Sequence, residues 1–276
     1  MALKDILVYA DGGSVAPTRF DVATALAKSH GAHLAALHVR ALPYVMTDIG
    51  GAVPAMVVEW QEEWSDSQEA AAKKAVEDAS RRSGVNIEWR LSRGDAEAGS
   101  LLQARYFDLV VVSQSAASTD EASMADGLPE TIVMGSGRPT LVVPRYGKFP
   151  IVGERVMVAW NGTRESTRAI HDALPILERA KAVTVMEVNP KTGSTPRIAG
   201  ADMATHLARH GVTVDVSSTV ADDIEVSDAI LSRLADLGAD LLVMGAYGHS
   251  RLREFAFGGA TRDILRHMTV PVFMSH

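Results

Sequence analysis

The segment Asp240–Thr261, DLLVMGAYGHSRLREFAFGGAT, carries the most informative pattern in the chain. It opens with an acidic residue and a short apolar run, Leu241 to Met244, which predicts a buried parallel strand. A glycine-rich stretch follows and leads into a helical pattern from Ala260 to His267. Strand, glycine-rich loop and helix start are typical of an anion cradle, because glycines let the backbone approach a phosphate and free N–H groups lie at the helix start. Loops also need glycine for their geometry, so the loop alone only favours nucleotide binding.

Composition narrows the class of protein. The 276 residues are 47% apolar and 22% charged, enough for one large domain or two of ordinary size with a proper core. A net charge of −7 argues against a general binder of nucleic acids or membrane surfaces, which needs a basic face. The absence of cysteine excludes disulfides, thiolate catalysis and zinc–cysteine sites. The starting run MALKDILVYADGG is too short in apolar residues for a signal peptide, so we expect a soluble, cytoplasmic protein.

Apolar runs alternate with helical patterns along the whole chain, which predicts a parallel sheet covered on both faces. The predicted strands are Ile6–Ala10, His33–Val39, Val85–Leu91, Leu109–Val112, Thr140–Val143, Arg155–Ala159, Ala182–Val188, Val212–Ser217, Leu241–Met244 and Val270–Met274. The predicted helices are Pro17–Ser29, Val57–Ser83, Asp95–Ala104, Thr163–Glu178, Ile198–His210, Val226–Leu237 and Ala260–His267.

The pattern contains an internal repeat. The run Asp108–Val112 matches Asp240–Met244, and without a gap Pro139 then falls on Pro271. The repeat predicts two similar domains, residues 1–146 and 154–276, joined by a linker that is rich in glycine and proline.

A glycine motif of the form G-x2-G-x9-G followed by a small residue, placed after the fourth strand of an α/β unit, resembles the universal stress protein family. Here it comprises Gly245, Gly248, Gly258 and Gly259. The starts of the halves, ILVYADGG and VMVAWNGTRES, and the endings RPTLVVP and TVPVFMSH, are similar to the family as well. The resemblance covers essentially the whole chain. It implies an α/β fold with two tandem, doubly wound, five-stranded parallel sheets of order 3-2-1-4-5, Rossmann-like and of the adenine-nucleotide α-hydrolase type.

The resemblance also implies a nucleotide site in the second half, at the switch point between its first and fourth strands. The residues expected to bind the cofactor are Trp160, Asn161, Val188, Met244, Gly245, Tyr247, Gly248, Arg251, Gly258, Gly259 and Ala260. Asn161 occupies the position of an acidic residue that usually contacts the nucleoside, and Val188 would line the adenine slot through its backbone. Gly245 and Gly248 would lie beneath the ribose and phosphates, and Gly258, Gly259 and Ala260 would donate N–H groups to the phosphate tail.

Two features of this loop depart from the family pattern. Family members often have Ser or Thr at the position of Gly259, so one phosphate contact is missing here. Positive charge from Arg251 and Arg253 would compensate for the missing phosphate contact. The alternative, which we favour slightly, is that both arginines lie in a solvated loop. We expect ATP, ADP or AMP as the cofactor, with Mg²⁺ as an option.

The first half lacks the glycine motif. The same register places Ser113 on Gly245, Ala116 on Gly248, Asp126 on Gly258 and Gly127 on Gly259. Side chains fill the positions of close approach, and a carboxylate lies where a phosphate would bind, so we expect no ATP there by this mode. Trp60, Trp64, Met46 and Met56 are candidates either for another ligand pocket or, more commonly, for core or interface packing.

The family resemblance leaves two main functions open, and a third, less favoured one is an enzyme of the wider adenine-nucleotide α-hydrolase class, for which the sequence shows no catalytic groups. One is a nucleotide-binding regulator or sensor of the stress response, with at most slow ATP hydrolysis and no catalytic residue that we can name. The alternative is a nucleotide-independent interaction protein or chaperone-like scaffold. Family members commonly pair through the edge of the fifth strand, so we expect either a homodimer or an intramolecular pseudo-dimer of the two halves, and an unknown protein partner.

Other constellations carry weaker signals. His206 and His210 are four residues apart on a predicted helix, which is a metal-ligand spacing, but the sequence supplies no third ligand. His249 lies in the glycine loop, and the sequence is equally consistent with a contact to phosphate and with a solvent-exposed position. Ser113 and Ser115 lack a G-x-S-x-G context, and no lysine follows the glycines as in a Walker loop.

Overall fold

The computed structural model describes residues 2–40, 55–116, 127–189, 200–221, 223–248 and 259–276. The elements of the first half are β1 (Asp5–Tyr9), α1 (Ala16–His30), β2 (His33–Arg40), α2 (Ala55–Ser83), β3 (Ile87–Arg93), α3 (Ala96–Ala104), β4 (Leu109–Ser113), α4 (Leu128–Gly135) and β5 (Thr140–Val143). The elements of the second half are β6 (Arg155–Ala159), α5 (Arg164–Leu177), β7 (Ala182–Val188), α6 (Ala201–Arg209), β8 (Val214–Thr219), α7 (Val226–Leu237), β9 (Leu241–Gly245), α8 (Ala260–His267) and β10 (Val272–Ser275).

The strands form one ten-stranded sheet with the order β3-β2-β1-β4-β5-β10-β9-β6-β7-β8. Each half therefore has the predicted order 3-2-1-4-5, and its strands are parallel. The halves meet at β5 and β10, which pair antiparallel with Leu141 opposite Phe273. Neither fifth strand is thus left as an exposed edge, and the two predicted sheets are continuous within a single chain.

The strands are buried on both faces because helices cover the sheet on each side. Alternate strand residues contribute to two apolar clusters. In β1, Ile6 and Val8 belong to the cluster that includes residues of α1, α2, α5 and α6, whereas Leu7 and Tyr9 belong to the cluster that includes residues of α3, α4, α7 and α8. The near-continuous apolar runs of the sequence are explained by this double coverage.

Side chains also connect the halves beyond the paired strands. Gln114, which directly follows β4, donates from Nε2 to the carbonyls of Leu265 (2.7 Å) and Arg266 (3.0 Å) at the end of α8. Its Oε1 accepts from the N–H of Arg145 at 3.1 Å. One first-half side chain therefore caps the last turn of a second-half helix.

Replacing Gln114 with leucine is expected to destabilise the protein by about 1–3 kcal/mol, because it removes three hydrogen bonds at the junction. Urea unfolding of the full chain measures the loss. The control is Gln103→Leu, which removes a 3.3 Å contact to Arg90 within the first half. If both substitutions lower the free energy of unfolding equally, the Gln114 hydrogen bonds between the halves contribute no more than a bond within one half.

Some sequence expectations need correction. β3, β8 and β10 each begin two residues later than predicted. Trp60 and Trp64 are 65% and 40% exposed, so neither is a core residue. Within the described ranges, no helix is long and apolar enough to cross a membrane.

Candidate functional site

A cavity of about 640 Å³ lies beyond the carboxyl ends of β6 and β9, in the range typical of small-molecule sites. These two strands are neighbours, and β7 lies on one side of them while β10 lies on the other, so the cavity is at the topological switch point of the second half. Its lining comprises Ala159, Trp160, Asn161, Thr163, Met186, Glu187, Val188, Asn189, Val226, Ile230, Met244, Gly245, Gly248, Gly259, Ala260 and Thr261.

The end of β6 contributes Asn161. Its Oδ1 accepts from the N–H of Thr163 at 3.2 Å and from the hydroxyl of Thr163 at 2.9 Å. The amide oxygen is therefore engaged by the chain itself. The Nδ2 group has no partner among the described residues, so it is the donor that Asn161 can offer to a ligand.

Helix α5 begins beside this turn with a capping box. Thr163 Oγ1 accepts from the N–H of Ser166 at 3.3 Å, and Ser166 Oγ accepts from the N–H of Thr163 at 3.1 Å. The reciprocal bonds satisfy two donors at the helix start and fix the direction in which the chain leaves β6.

The glycines after β9 face this helix start closely. A Cβ on Gly245 would lie 2.4 Å from the nitrogen of Ser166 and 2.5 Å from the carbonyl carbon of Glu165. A Cβ on Gly248 would lie 2.8 Å from Oε2 of Glu165. Both glycines line the cavity, but the close approach that demands glycine at position 245 is to the backbone of α5. This packing requirement accounts for Gly245 without reference to a ligand.

Glu165 is a buried carboxylate next to the cavity floor, with 7% of its surface exposed. Burial alone would raise its pKa, but hydrogen bonds from its own backbone N–H, from Arg164 and from Thr163 together hold the pKa of Glu165 below its ordinary value. The carboxylate therefore remains charged, and its place in the first turn of α5 suits the positive end of the helix.

The end of β7 forms the opposite wall. Asn189 has a left-handed backbone with φ of 51°. Its Oδ1 accepts from the N–H of Ala221 at 2.7 Å, and its Nδ2 donates to the carbonyl of Ala221 at 3.2 Å. These bonds tie the end of β7 to the segment after β8 and hold Val188 at the cavity.

Helix α8 begins at the cavity. Its N-cap Gly259 has φ of −64° and ψ of 144°, an extended conformation that most residues adopt. Ala260 and Thr261 follow in the first turn, where backbone N–H groups have no partner within the helix. Thr261 Oγ1 accepts from the N–H of Tyr247 at 3.2 Å and so connects the start of α8 to the end of the β9 loop.

The structure brings most of the predicted residues together. Those that line the cavity are Trp160, Asn161, Val188, Met244, Gly245, Gly248, Gly259 and Ala260. Tyr247 does not line it; its backbone instead adopts φ of 54° and bonds to Thr261. The predicted residues outside the described ranges are Met46, Asp126, His249, Arg251, Arg253 and Gly258.

The sequence prediction missed the remaining lining residues. They are Ala159, Thr163, Met186, Glu187, Asn189, Val226, Ile230 and Thr261. Those at the end of β7 are close to Val188 in sequence, so their position at the strand end could have predicted that they line the cavity. Val226 and Ile230 come from α7, and no local pattern distinguishes the side of this helix that lines the cavity.

The described lining is apolar on one side and carries little charge. Its apolar residues include Met186, Val188, Ile230 and Met244, and Glu187 is its only charged residue among those the structure describes. No lysine or arginine belongs to this part of the lining. Among the described residues, the start of α8 and Nδ2 of Asn161 are the groups that would stabilise a bound anion.

The first half has larger side chains at the equivalent positions. The strand registers align β1 with β6 and β4 with β9, so Tyr9 corresponds to Ala159 and Ser113 to Gly245. Continuing the same alignment into α1 places Arg19 at the position of Ala169.

Arg19 fills the first-half switch point. It is 1% exposed, and its Nη2 lies 3.0 Å from Oδ2 of Asp11 while its Nη1 donates to Ser113 Oγ at 2.8 Å. The guanidinium lies 5.8 Å from the ring centroid of Tyr9. Burial and the Asp11 carboxylate, against the opposing effect of Arg19, raise the pKa of Tyr9 to about 12. A buried ion pair thus occupies the place where the second half has its small residues.

The start of α4, which corresponds to the start of α8, is also occupied by the chain itself. Ser115 Oγ accepts from the N–H of Gly127 at 3.1 Å and donates to Glu130 Oε2 at 3.3 Å. A carboxylate near this helix start disfavours a second anion.

Residues 153–276 match the model of the universal stress protein family. The second half of the chain is therefore similar to universal stress proteins. The match confirms the resemblance on which the sequence prediction rests, and it covers the half that contains the cavity.

A universal stress protein of Synechocystis sp. is 27% identical over 147 residues. The match covers 52% of this chain and 48% of that protein, so the chain spans about half the length of this curated relative. Two solved structures share the fold across both halves. A universal stress protein from Archaeoglobus fulgidus has a TM-score of 0.73 with 16% identity, over 98% of this chain and 95% of its own. A functionally unknown protein from Pseudomonas aeruginosa PAO1 has a TM-score of 0.62 with 15% identity, over 99% and 92%.

Proposed function

We propose that this protein binds an adenine nucleotide, ATP, ADP or AMP, in the second-half cavity and acts as a regulator or sensor of the stress response. The observation that carries the proposal is the combination, in one cavity at the switch point, of apolar lining residues and a helix start that no described side chain caps. The apolar wall suits a base, Nδ2 of Asn161 suits the ribose, and the start of α8 suits the phosphates.

The charges around the cavity favour Mg²⁺ as a partner of the phosphates. Glu187 lies in the lining and the charged Glu165 lies beneath Gly248. Two nearby carboxylates repel a polyphosphate and make its binding less favourable. A hard cation that binds the phosphate oxygens reduces this repulsion. We therefore expect Mg²⁺ to accompany ATP rather than to bind alone.

The same lining argues for slow chemistry. Glu187 is the one titratable side chain in the described part of the lining, and neither a histidine nor a lysine joins it there. A positioned general base and a cationic phosphate clamp supply most of the rate of phosphoryl transfer. We infer binding and conformational signalling, with hydrolysis at most slow.

We also propose that residues 1–146 and 154–276 are two domains that form a pseudo-dimer through β5 and β10. The pairing of these strands and the Gln114 bonds support this arrangement. The first domain would serve as a structural partner, since its switch point is filled by Arg19. An interaction scaffold that ignores nucleotide is the second candidate, favoured by this filled site.

Calorimetric titration of the full chain with ATP and Mg²⁺ tests the proposal. We expect one nucleotide per chain, with adenosine and inorganic tripolyphosphate each binding at least about tenfold more weakly, because each engages only one part of the cavity. Absence of binding at millimolar ATP would favour the scaffold.

A further inference from the structure

Three imidazole rings form a cluster on the outer side of the second half, away from the nucleotide cavity lining. His171 belongs to α5, His206 to α6, and His210 directly follows α6. The ring centroids of His171 and His206 are 5.0 Å apart, and those of His206 and His210 are 4.7 Å apart. The sequence showed no third ligand for His206 and His210, and in the fold His171 lies beside His206.

The ring of His171 is held in a form suited to metal binding. Its Nδ1 lies 2.8 Å from the carbonyl oxygen of Thr167. Because a carbonyl only accepts, Nδ1 carries a proton, and in the neutral ring Nε2 then has the lone pair that a metal ion needs. A bond of this kind, from the non-ligating nitrogen to a carbonyl, is the usual second contact of a metal-bound histidine.

His206 lies between the other two rings and has an unmet polar atom. Its Nε2 is buried, and it has no hydrogen-bond partner among the described residues. Buried polar atoms normally have partners, so a lone one calls for an explanation such as an ion. His210 is exposed, and its ring lies edge-on to the ring of His206.

The separation of the rings fits one shared ion. With metal–nitrogen bonds near 2.0–2.1 Å, two imidazoles on one ion have centroids about 4.5–5.2 Å apart. The observed separations lie in this range. In the present rotamers no three ligand groups of the described residues already surround a common point. The exposed His210 ring therefore has to turn toward His206 when an ion binds.

We propose that His171, His206 and His210 bind a divalent transition-metal ion, with Zn²⁺ as the ion of choice. Three neutral imidazoles suit Zn²⁺ and Cu²⁺ far better than Mg²⁺ or Ca²⁺, which need oxygen ligands. Water completes a tetrahedral Zn²⁺ site. The ion connects α5 to α6, so it stabilises the second half at the helix whose first turn adjoins the nucleotide cavity.

Titration of the tag-free full chain with Zn²⁺, in the absence of nucleotide, tests the proposal. We expect one binding event per chain and a higher midpoint of thermal unfolding with Zn²⁺ present. The exposed-residue substitutions His171→Asn and His210→Asn should each weaken binding at least about tenfold and remove most of the thermal shift. His206→Asn should do the same if the variant folds.

His267→Asn is the matched control. His267 is exposed on a helix, and its Nδ1 lies 3.0 Å from the carbonyl of Asp263, as His171 lies against Thr167. Its substitution should leave Zn²⁺ affinity unchanged. The proposal fails if the wild-type chain does not bind Zn²⁺ at about 100 µM, a weak affinity for a three-histidine site. It fails equally if the His171 and His210 variants bind as the wild type does.

Discussion

The Gly259→Asp variant is expected to lose nucleotide binding while keeping its fold. Gly259 is the N-cap of α8, with φ of −64° and ψ of 144°. Aspartate is among the best N-cap residues in this conformation, so the helix should be as stable as before or slightly more stable. Its carboxylate would lie where the phosphate tail is expected, and repulsion at about 4 Å in a partly buried site weakens binding by roughly a hundredfold or more.

The matched controls are Gly259→Asn and Gly259→Ser, which cap the helix without charge. We expect Gly259→Asn to keep most of the affinity and Gly259→Ser to equal or exceed the wild type, because its hydroxyl adds a donor for phosphate. The measurement is ATP titration together with thermal unfolding of each variant. ATP affinity in Gly259→Asp equal to that in Gly259→Asn would place the phosphates elsewhere.

Replacing Arg19 with alanine should destabilise the chain more than any surface substitution. The side chain is 1% exposed, pairs with Asp11 and donates to Ser113. Its removal leaves a cavity and takes the guanidinium away from both Asp11 and Ser113, and such losses cost about 3–5 kcal/mol for a fully buried pair. The Asp11 side chain is 22% exposed, so water can solvate its carboxylate when Arg19 is removed. We therefore expect the free energy of unfolding to fall by about 3 kcal/mol, the lower end of this range.

Two further variants separate packing from charge. Arg19→Met fills most of the same space, so it should cost less than Arg19→Ala, but it still leaves the Asp11 carboxylate without its guanidinium partner and should remain destabilising. Arg82→Ala removes a surface pair with Asp21, in which the side chains are 48% and 63% exposed, and should cost less than about 1 kcal/mol. Urea unfolding compares them. Equal stability of the Arg19→Ala and Arg82→Ala variants would mean that Arg19 does not hold the first-half switch point together.

The fold was predictable because its strands are buried on both faces and stand out as apolar runs between helical patterns. Of the three strands that begin later than predicted, β10 lies in the middle of the sheet and the other two are its outer strands. Val85 and Val212 were placed in strands, yet β3 and β8 begin at Ile87 and Val214. These outer strands have a neighbour on one side only, so pairing with β2 and β7 sets their start while apolar residues before them pack in turns.

The cavity was predictable where its residues are adjacent to a motif in sequence, and less so elsewhere. Glycine positions indicated the loop after β9, but the need for glycine at position 245 comes from the start of α5, about 80 residues earlier in the chain. Ile230 lines the cavity from α7, and only the packed helix shows which face it presents. The buried Arg19 was missed because arginine on a helix is normally exposed.

A crystal structure of the full chain grown with ATP and Mg²⁺ tests the central claim most directly. We expect one nucleotide per chain, with its base against Val188 and Ile230 and its phosphates at Gly259 and Ala260. Arg19 should keep its contact with Asp11. A nucleotide bound beside Tyr9 and Ser113 in the first half, with the second-half cavity closed by side chains, would contradict the proposed site.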